Sequence, residues 1–265
     1  MAVPPIVLVF VNAMLIDTHC HLDCEPLFSQ LPQLLDQAQA LGIAQWVVPA
    51  IRPSGWQGIM ELCRRYPSAL PTIGIHPMAW AEASEDALDR LDRLAPQVVA
   101  IGEIGLDRKV EDLHGQETCF REQLRIARRH GLPVLIHCRD VIGRTLAILQ
   151  EERAEQIGGI MHAFSGSLES AREFVRLGFV ISISATITYQ GAVRSLRLAR
   201  ELPLSQLVLE SDAPDLTPQA HRGSFNRPAW LLETARTLAA LKQVSLDELA
   251  AATTATARAA LRLNA

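Results

Sequence analysis

The chain has 265 residues, of which 49% are hydrophobic and 20% charged, and its formal net charge is -4 at pH 7. A chain of this length can bury a large core, and α/β barrels commonly reach this length as one domain. The acidic balance excludes the overall positive field typical of nucleic-acid binders, so any phosphate-bearing ligand must be bound locally.

The cysteines and the first residues bear on where the protein works. The five cysteines are scattered and form no CxxC pair, which is typical of free thiols in a reducing cytoplasm. Residues 1–13 contain a short apolar run that lacks the positive start of a signal peptide and cannot span a bilayer. We predict a cytoplasmic monomer with no membrane contact and no obligate protein partner. Residues 1–13 are an extension without an assigned function, and residues 14–265 form one domain.

From Met14 onward, short apolar and β-branched runs alternate with longer stretches of helical period. This alternation is typical of βαβ units and a parallel sheet. With roughly 30 residues per unit, the pattern favours a closed TIM (β/α)8 barrel over an open sheet. The predicted strands are Met14–Asp17, Ala44–Ala50, Leu70–Ile75, Val98–Glu103, Pro133–His137, Gly159–Ala163, Val180–Ile183 and Leu207–Glu210.

Helical stretches lie between these strands. In residues 116–130, Phe120 and Leu124 share one face, and Gly131 supplies the left-handed residue that commonly ends a helix. The last stretch, residues 245–263, is rich in alanine. We expect it to form a C-terminal helix that closes the domain.

Polar side chains stand at the carboxyl ends of five predicted strands, where barrels place their chemistry. His19 and His21 are two residues apart, so both imidazoles point to the same side of the chain. A single histidine at a strand end is more often a hydrogen-bonded core residue. A converging set that includes carboxylates would be costly to bury without a cation. We therefore predict a metal site formed by His19, His21, Glu103, His137, His162 and Asp212.

Two further patterns adjoin these residues. Glycines on either side of Glu103 are expected to let a loop or a substrate come close. Cys20 and Cys138 each follow a proposed ligand directly. Because neighbours along a strand point to opposite faces, we predict that both cysteines pack outward and do not bind metal.

Six motifs run along nearly the whole chain: D-T-H-C-H-L-D from Asp17, G-I-H-P from Gly74, G-E-I-G-L-D from Gly102, P-V-L-I-H-C-R-D from Pro133, H-A-F-S-G-S from His162 and E-S-D-A-P-D from Glu210. In these motifs and their order the chain resembles the TatD-type metal-dependent deoxyribonucleases of the amidohydrolase superfamily. The resemblance implies an exonucleolytic hydrolase of DNA phosphodiesters with two divalent ions, Zn, Mn or Mg. Glu103 would bridge the two ions, and DNA would be a transient partner.

The same resemblance implies that His76 lies near the substrate and that Arg139 meets a phosphate. One position departs from the pattern. Many family members read N-E-P near the end, whereas this chain has Asn226-Arg227-Pro228. The missing glutamate affects the expected substrate preference and leaves the predicted metal ligands unchanged.

A mechanism follows from these expectations. Two divalent ions about 3.5–4 Å apart can activate a shared water and stabilise the attacking and leaving oxygens. Asp212 would hold one ion and accept the proton of the water. His76 would contact the scissile phosphate or protonate the leaving group, or else stabilise the loop that follows it. Arg139 would contact a phosphate or form a salt bridge with Asp140 or Asp107.

Other residues are expected around the mouth of the barrel. Asp107 would orient a ligating histidine or else hydrogen bond within its loop. His221, Arg222 and Arg227 would give the mouth local positive charge. Trp80 is the tryptophan best placed to reach the mouth, although tryptophans are more often core residues.

Two rival functions remain open. One is hydrolysis of an ester, an aminoacyl ester or a C–N bond, in a small molecule or in tRNA, by a metallohydrolase of the same superfamily. A site bridged by a carboxylated lysine is disfavoured, because Glu103 stands at the fourth strand and neither Lys109 nor Lys242 is at a strand end. The other rival is a metal site with a closed shell that binds without catalysing.

Overall fold

The computed structural model describes residues 14–263, so the predicted extension over residues 1–13 lies outside them. Eight parallel strands pair in sequence order from β1 to β8, with helices between them. This architecture confirms the predicted TIM barrel. The strands are β1 (Leu15–Asp17), β2 (Ile43–Val48), β3 (Ala69–Ile73), β4 (Ala100–Asp107), β5 (Val134–Arg139), β6 (Gly159–Met161), β7 (Phe179–Ile183) and β8 (Leu207–Leu209).

The α-helices of the described residues pack amphipathic faces around the strands. They are α1 (Leu31–Gln39), α2 (Trp56–Arg65), α3 (Glu85–Leu94), α4 (Leu113–His130), α5 (Ile142–Glu151), α6 (Leu168–Arg176), α7 (Val193–Glu201), α8 (Leu231–Lys242) and α9 (Leu246–Ala260). None of the helices in this part of the chain combines the length and the apolar character needed to cross a membrane.

Helix α4 shows how local sequence sets the helix ends. Phe120 and Leu124 are buried, as the helical period predicts, and Gly131 ends the helix in the left-handed region with φ 63°. The helix starts three residues before the prediction, because the Asp112 carboxylate accepts a hydrogen bond from the Gly115 N–H at 3.0 Å and caps the first turn.

The first and last strands meet through hydrogen bonds at their carboxyl ends. The Thr18 N–H donates to the Leu209 carbonyl, and the Asp212 N–H donates to the His19 carbonyl, each at 2.9 Å. These bonds bring two predicted metal ligands, His19 and Asp212, into register across the seam.

The amino-terminal half of the barrel is filled by apolar side chains from the strands and from α9. The Ser245 side chain caps α9 in a capping box with Glu248. The helix therefore closes the barrel, as predicted, and forms an apolar floor beneath the carboxyl-terminal ends. The residues of this floor are Ile16, Val47, Ala100, Leu135, Ile160, Val208, Ala257 and Leu261.

Strand β4 differs from the prediction. It was expected to end at Glu103, but it continues to Asp107, so Glu103 lies within the strand. A Cβ on Gly105, which has φ 141°, would lie 2.0 Å from the His137 carbonyl oxygen. The expectation that the glycines admit a loop or substrate is therefore wrong for Gly105, because β5 fills that space.

Candidate metal centre

The six predicted ligands converge at the carboxyl-terminal mouth of the barrel. A cavity of about 640 Å³ opens there, and its walls include His21, Glu103, His137, His162 and Asp212. Its volume lies within the usual range for small-molecule sites. His19 is 1% exposed, and its Nε2 lies 3.3 Å from the Nε2 of His21, which lines the cavity.

One group of donor atoms surrounds the first histidine pair. The Nε2 atoms of His19 and His21 are 3.3 Å apart. The His19 Nε2 lies 3.2 Å from Glu103 Oε2 and 3.7 Å from Asp212 Oδ1, and the His21 Nε2 lies 3.8 Å from Asp212 Oδ1. Two imidazoles and two carboxylates therefore point at a single region.

A second group surrounds the other oxygen of Glu103. Glu103 Oε1 lies 2.8 Å from His137 Nδ1, 3.6 Å from His76 Nε2 and 3.8 Å from His162 Nε2. His162 Nε2 is also 3.7 Å from Asp212 Oδ1, so His162 connects the two groups. Glu103 stands between them and faces each with a different oxygen.

The first group fits a divalent cation in both distance and chemistry. Two nitrogens bound 2.0–2.1 Å from one tetrahedral ion lie about 3.3 Å apart, which is the separation of the His19 and His21 Nε2 atoms. These two Nε2 atoms cannot both donate a proton to each other. The Nδ1 atoms of the same two rings are buried without hydrogen-bond partners. A mixed set of imidazoles and carboxylates suits zinc, manganese and related ions.

The electrostatics of Glu103 and Asp212 differ. Burial opposes ionisation of Glu103, but the surrounding imidazoles of His19 and His162 outweigh it and hold the pKa of Glu103 well below its ordinary range. For Asp212, burial is the largest cause, and the Glu210 and Glu103 carboxylates add to it, so its pKa is raised. A bound cation would lower the pKa of Asp212 by direct attraction.

Asp212 is held by its backbone as well. Its φ is 56°, in the left-handed region that aspartate adopts more readily than most residues. The preceding residue is also held, since the buried Asn226 donates from Nδ2 to the Ser211 carbonyl at 2.7 Å. Asn226 of the Asn226-Arg227-Pro228 segment therefore supports the position of the Asp212 carboxylate.

Glu210 contacts a predicted ligand and was not singled out from the sequence. It is fully buried, hydrogen bonds to His162 Nδ1 at 3.0 Å, and accepts the Ala163 N–H at 2.7 Å. These bonds orient the His162 ring with Nε2 towards the cavity. Glu210 and Asp212 have the same two-residue spacing as His19 and His21, and that spacing was the signal available in the sequence.

Asp107 makes both contacts predicted for it, one with a predicted ligand and one within its own loop. Its Oδ2 hydrogen bonds to His137 Nε2 at 3.1 Å, and its Oδ1 accepts the Lys109 N–H at 2.7 Å. Burial would lower the pKa of His137, but its hydrogen bonds to Asp107 and Glu103 outweigh burial and raise the pKa to about 9. Without a metal, His137 therefore carries a proton at neutral pH.

His76 stabilises the loop that follows it, which is one of the two alternatives predicted for it. Its Nδ1 accepts the Met78 N–H at 3.0 Å, which stabilises the loop after β3 and leaves the proton of the neutral ring on Nε2. Nε2 faces Glu103 at the edge of the cavity. Burial lowers the pKa of His76 to about 4, so the ring is a neutral donor at pH 7.

Arg139 is an exposed residue that lines the cavity. Within residues 14–263 its guanidinium has no carboxylate oxygen within 4.0 Å, so the predicted alternative of a salt bridge with Asp140 or Asp107 is wrong. Burial would raise the pKa of Asp107, but the hydrogen bonds from His137 and from the Lys109 N–H outweigh burial and lower it, and the Arg139 charge adds to this lowering.

Trp80 and Cys20 pack away from the centre. Trp80 is partly buried against the core and lies against α4, where a Cβ on Gly115 would be 2.4 Å from the indole ring. Cys20 is fully buried in the core, and Cys138 hydrogen bonds to the Thr145 hydroxyl at 3.3 Å. The prediction of outward packing agrees with the contacts of Cys20, but it is wrong for Cys138, which also lines the cavity.

Asp23 and Cys24 form a further cluster with His21, in which the possible ligand atoms lie within 4.8 Å of one another. Burial and the Asp23 carboxylate raise the pKa of the Cys24 thiol to about 12. Since metals bind the thiolate, this environment disfavours Cys24 as a ligand.

A parallel barrel with imidazoles and carboxylates converging at the carboxyl ends of its strands defines a class, the metal-dependent hydrolases built on a (β/α)8 barrel. Comparison with known proteins narrows that class. The family model described as TatD related DNase matches residues 16–262. The chain therefore belongs to the TatD family of metal-dependent hydrolases.

Individual relatives match this chain over nearly their whole length. The chain is 35% identical over 257 residues to the uncharacterized metal-dependent hydrolase YabD of Bacillus subtilis, covering 95% of this chain and 100% of that protein. The crystal structure of YjjV, a TatD homolog from Escherichia coli, superposes with a TM-score of 0.90 at 32% identity and covers 94% of this chain and 98% of that one. A TatD family hydrolase from Entamoeba histolytica, at 20% identity with a TM-score of 0.81 over 93% of this chain and 97% of that one, shows the shared fold alone.

Proposed function

We propose that the protein hydrolyses phosphodiester bonds of DNA exonucleolytically, with two divalent metal ions held at the candidate metal centre. Glu103 carries the proposal. Its Oε2 lies 3.2 Å from His19 Nε2, and its Oε1 lies 2.8 Å from His137 Nδ1. A carboxylate whose oxygens face two donor groups suits a bridging ligand between two ions. The ligands would be His19, His21, Glu103, His137, His162 and Asp212.

The residues around the centre suit this chemistry. Bound zinc, manganese or magnesium would supply Lewis-acid activation of water and neutralise charge on the phosphate. Asp212 would take the proton of the water, and the neutral His76 would direct its Nε2 proton to a phosphate oxygen or to the leaving group.

Arg139 supports a phosphate-bearing substrate. It stands on the cavity wall with no carboxylate partner within 4.0 Å among the described residues. A guanidinium in this position can form charge-assisted hydrogen bonds with a phosphate. The name of the matching family model supports DNA as the source of that phosphate.

A panel of metals and substrates tests the proposal. Chelator-treated protein would receive Mg, Mn, Zn or Co and then a linear single-stranded DNA, the same DNA as a circle, RNA, a simple phosphodiester and an aminoacyl ester. We expect the linear DNA to be shortened from an end and the circle to remain intact. Cleavage of the aminoacyl ester without cleavage of DNA would contradict the assignment to DNA and favour the rival function of ester hydrolysis.

Two variants connect the activity to the centre. Glu103→Ala and His137→Ala are expected to abolish metal-dependent hydrolysis and to keep the far-ultraviolet circular dichroism of the barrel. Glu155→Ala is the matched control, because Glu155 is exposed on the turn before β6, at the opposite end of the barrel. Retained activity in either centre variant would refute the two-metal arrangement.

A further inference from the structure

Two loops at one side of the cavity mouth are joined into a single ridge. They are the segment from β7 to α7, residues 184–192, and the segment from β8 to α8, residues 210–230. The Gln219 N–H donates to the Thr188 hydroxyl at 2.9 Å, and the Gln190 N–H donates to the Gln219 side chain at 3.4 Å. The second segment also carries Asp212, so the ridge is tied to the metal centre.

Arg222 lies on this ridge and stacks on the Tyr189 ring. The Arg222 guanidinium lies over the Tyr189 ring, 4.5 Å from its centroid, and Arg222 is exposed to solvent. No carboxylate oxygen of residues 14–263 comes within 4.0 Å of it. On the outer helices, by contrast, Arg125 forms a two-pronged pair with Glu152 at 3.0 and 2.8 Å. Arg222 is therefore held by stacking, with its charge unneutralised.

The ridge borders the cavity. The Tyr189 N–H donates to the Thr186 carbonyl at 3.2 Å, and Thr186 lines the cavity together with Asp212. Burial is the main cause that raises the pKa of Tyr189, while the Arg222 charge opposes it and the Asp212 charge adds to it. Tyr189 thus lies within electrostatic range of both the metal centre and Arg222.

The cavity wall also carries Arg139, at the end of β5. Arg139 ends β5, whereas Arg222 lies in the segment from β8 to α8, so the two cations come from different parts of the mouth. A single strand of nucleic acid has a phosphate at every nucleotide, and proteins that bind such strands follow the backbone with cationic and aromatic side chains.

We propose that Tyr189 and Arg222 form a site for a nucleotide next to the cleaved bond, where the stacked Arg222 guanidinium binds a phosphate that is not cut. The substrate is then a single DNA strand of several nucleotides and not an isolated phosphodiester. This inference rests on the proposed phosphodiester hydrolysis at the metal centre.

The test compares Arg222→Ala with Arg172→Ala. Arg172 is exposed on α6, so its replacement removes the same charge from the outer surface. The selectivity measured is the ratio of kcat/KM for a ten-nucleotide thymidine strand to kcat/KM for bis(p-nitrophenyl) phosphate. We expect Arg222→Ala to lower this ratio about tenfold, mainly through a higher KM for the strand. Tyr189→Leu should also lower this ratio, and Arg172→Ala should leave the ratio unchanged.

Binding without catalysis gives a second readout. In chelator, the dissociation constant of a fluorescein-labelled thymidine strand, measured by anisotropy, should rise about tenfold in Arg222→Ala. The slope of its logarithm against the logarithm of salt concentration should fall by about one, because one phosphate contact is lost.

Each other outcome has a definite meaning. An equal loss on both substrates in Arg222→Ala would show a structural function of the loop and overturn the inference. A similar effect of Arg172→Ala would show a general charge effect and overturn it too. If the wild-type protein cleaves no phosphodiester, the proposed function fails by itself. The anisotropy measurement then decides the strand site, which unchanged binding in Arg222→Ala would refute.

Discussion

Replacing Glu210 with Gln removes one charge beside the candidate metal centre and keeps the shape of the side chain. The carboxylate accepts two hydrogen bonds, from His162 at 3.0 Å and from the Ala163 N–H at 2.7 Å. A glutamine can still accept the Ala163 bond through its carbonyl oxygen. Its NH₂ group would then face His162 Nδ1 and force that nitrogen to be an acceptor, which places the ring proton on Nε2. Protonated Nε2 cannot bind a metal.

The size of the effect follows from these contacts. A hydrogen bond to a buried charged group contributes about 1.5–3 kcal/mol. Loss of a partner that orients a metal-binding histidine costs about ten- to a hundredfold in metal affinity or activity. We therefore expect Glu210→Gln to bind metal at least about tenfold more weakly and to unfold with a free energy lowered by about 1–3 kcal/mol.

The assay is competition with a fluorescent chelator for Zn or Mn, with urea unfolding of the same samples to show that the barrel is intact. Glu155→Gln, at the amino-terminal end of the barrel, controls for the loss of one negative charge. Metal affinity of Glu210→Gln within twofold of the wild type would refute the orientation of His162 by Glu210.

Three further outcomes can be measured. Metal-free protein should lose stability as pH rises from about 6.5 through 9 to 10, and bind metal more tightly over that range. The reason is that, despite burial, carboxylate partners raise the pKa of His137 to about 9 and of His162 to about 10, above the unfolded value. Glu152→Gln should lower the free energy of unfolding at pH 7 by about 1–3 kcal/mol, because a buried carboxylate loses its charged hydrogen bonds to Arg125 and Arg121. Arg227→Glu should lower the free energy of unfolding by about 1 kcal/mol, because the guanidinium lies 5.0 and 5.5 Å from two aromatic ring centroids.

Each of these has its own check. Proton release on metal binding, measured by calorimetry in two buffers, should disappear above pH 10, and its persistence there would contradict the assignment to the two histidines. Burial would raise the pKa of Glu152, but Arg125 and Arg121 outweigh burial and lower it. The stabilisation of the fold by Glu152 is therefore present above pH about 4.3 and is lost as pH falls through the lowered value. A Glu152→Gln deficit that persists at pH 2 would count against this cause. Arg227→Lys, which keeps the charge, separates stacking from electrostatics.

The strands were predictable because their apolar, β-branched runs are buried on both faces in a barrel, and seven of the eight were placed close to their observed bounds. For strand β4, the prediction ended at Glu103, whereas the observed strand ends at Asp107. A carboxylate between glycines is typical of the end of a strand. In the structure, however, Gly105 lies within the strand, and its backbone packs against the His137 carbonyl. Only the position of the neighbouring strand reveals that reason.

The site was predictable to the extent that it depends on strand ends. A period of two predicted that His19 and His21 face one side, and their Nε2 atoms do meet, although both residues follow the end of β1 at Asp17. The barrel brings the other ligands to the same mouth. The stacking of Arg222 on Tyr189 was not predictable. It joins residues from two loops whose contact is set by the hydrogen bonds between them, and no local pattern encodes that contact.

The seam of the barrel connects folding to the metal centre. The Ser211 N–H donates to Asp17 Oδ1 at 2.8 Å across 194 residues of sequence, and the His21 N–H donates to the Ala213 carbonyl at 2.9 Å. These bonds form only when the last strand joins the first, and the same event brings Asp212 within 3.7 Å of His19 Nε2. A metal ion that takes both residues as ligands therefore binds the closed barrel and not the open chain, so its binding free energy adds directly to the stability of closure.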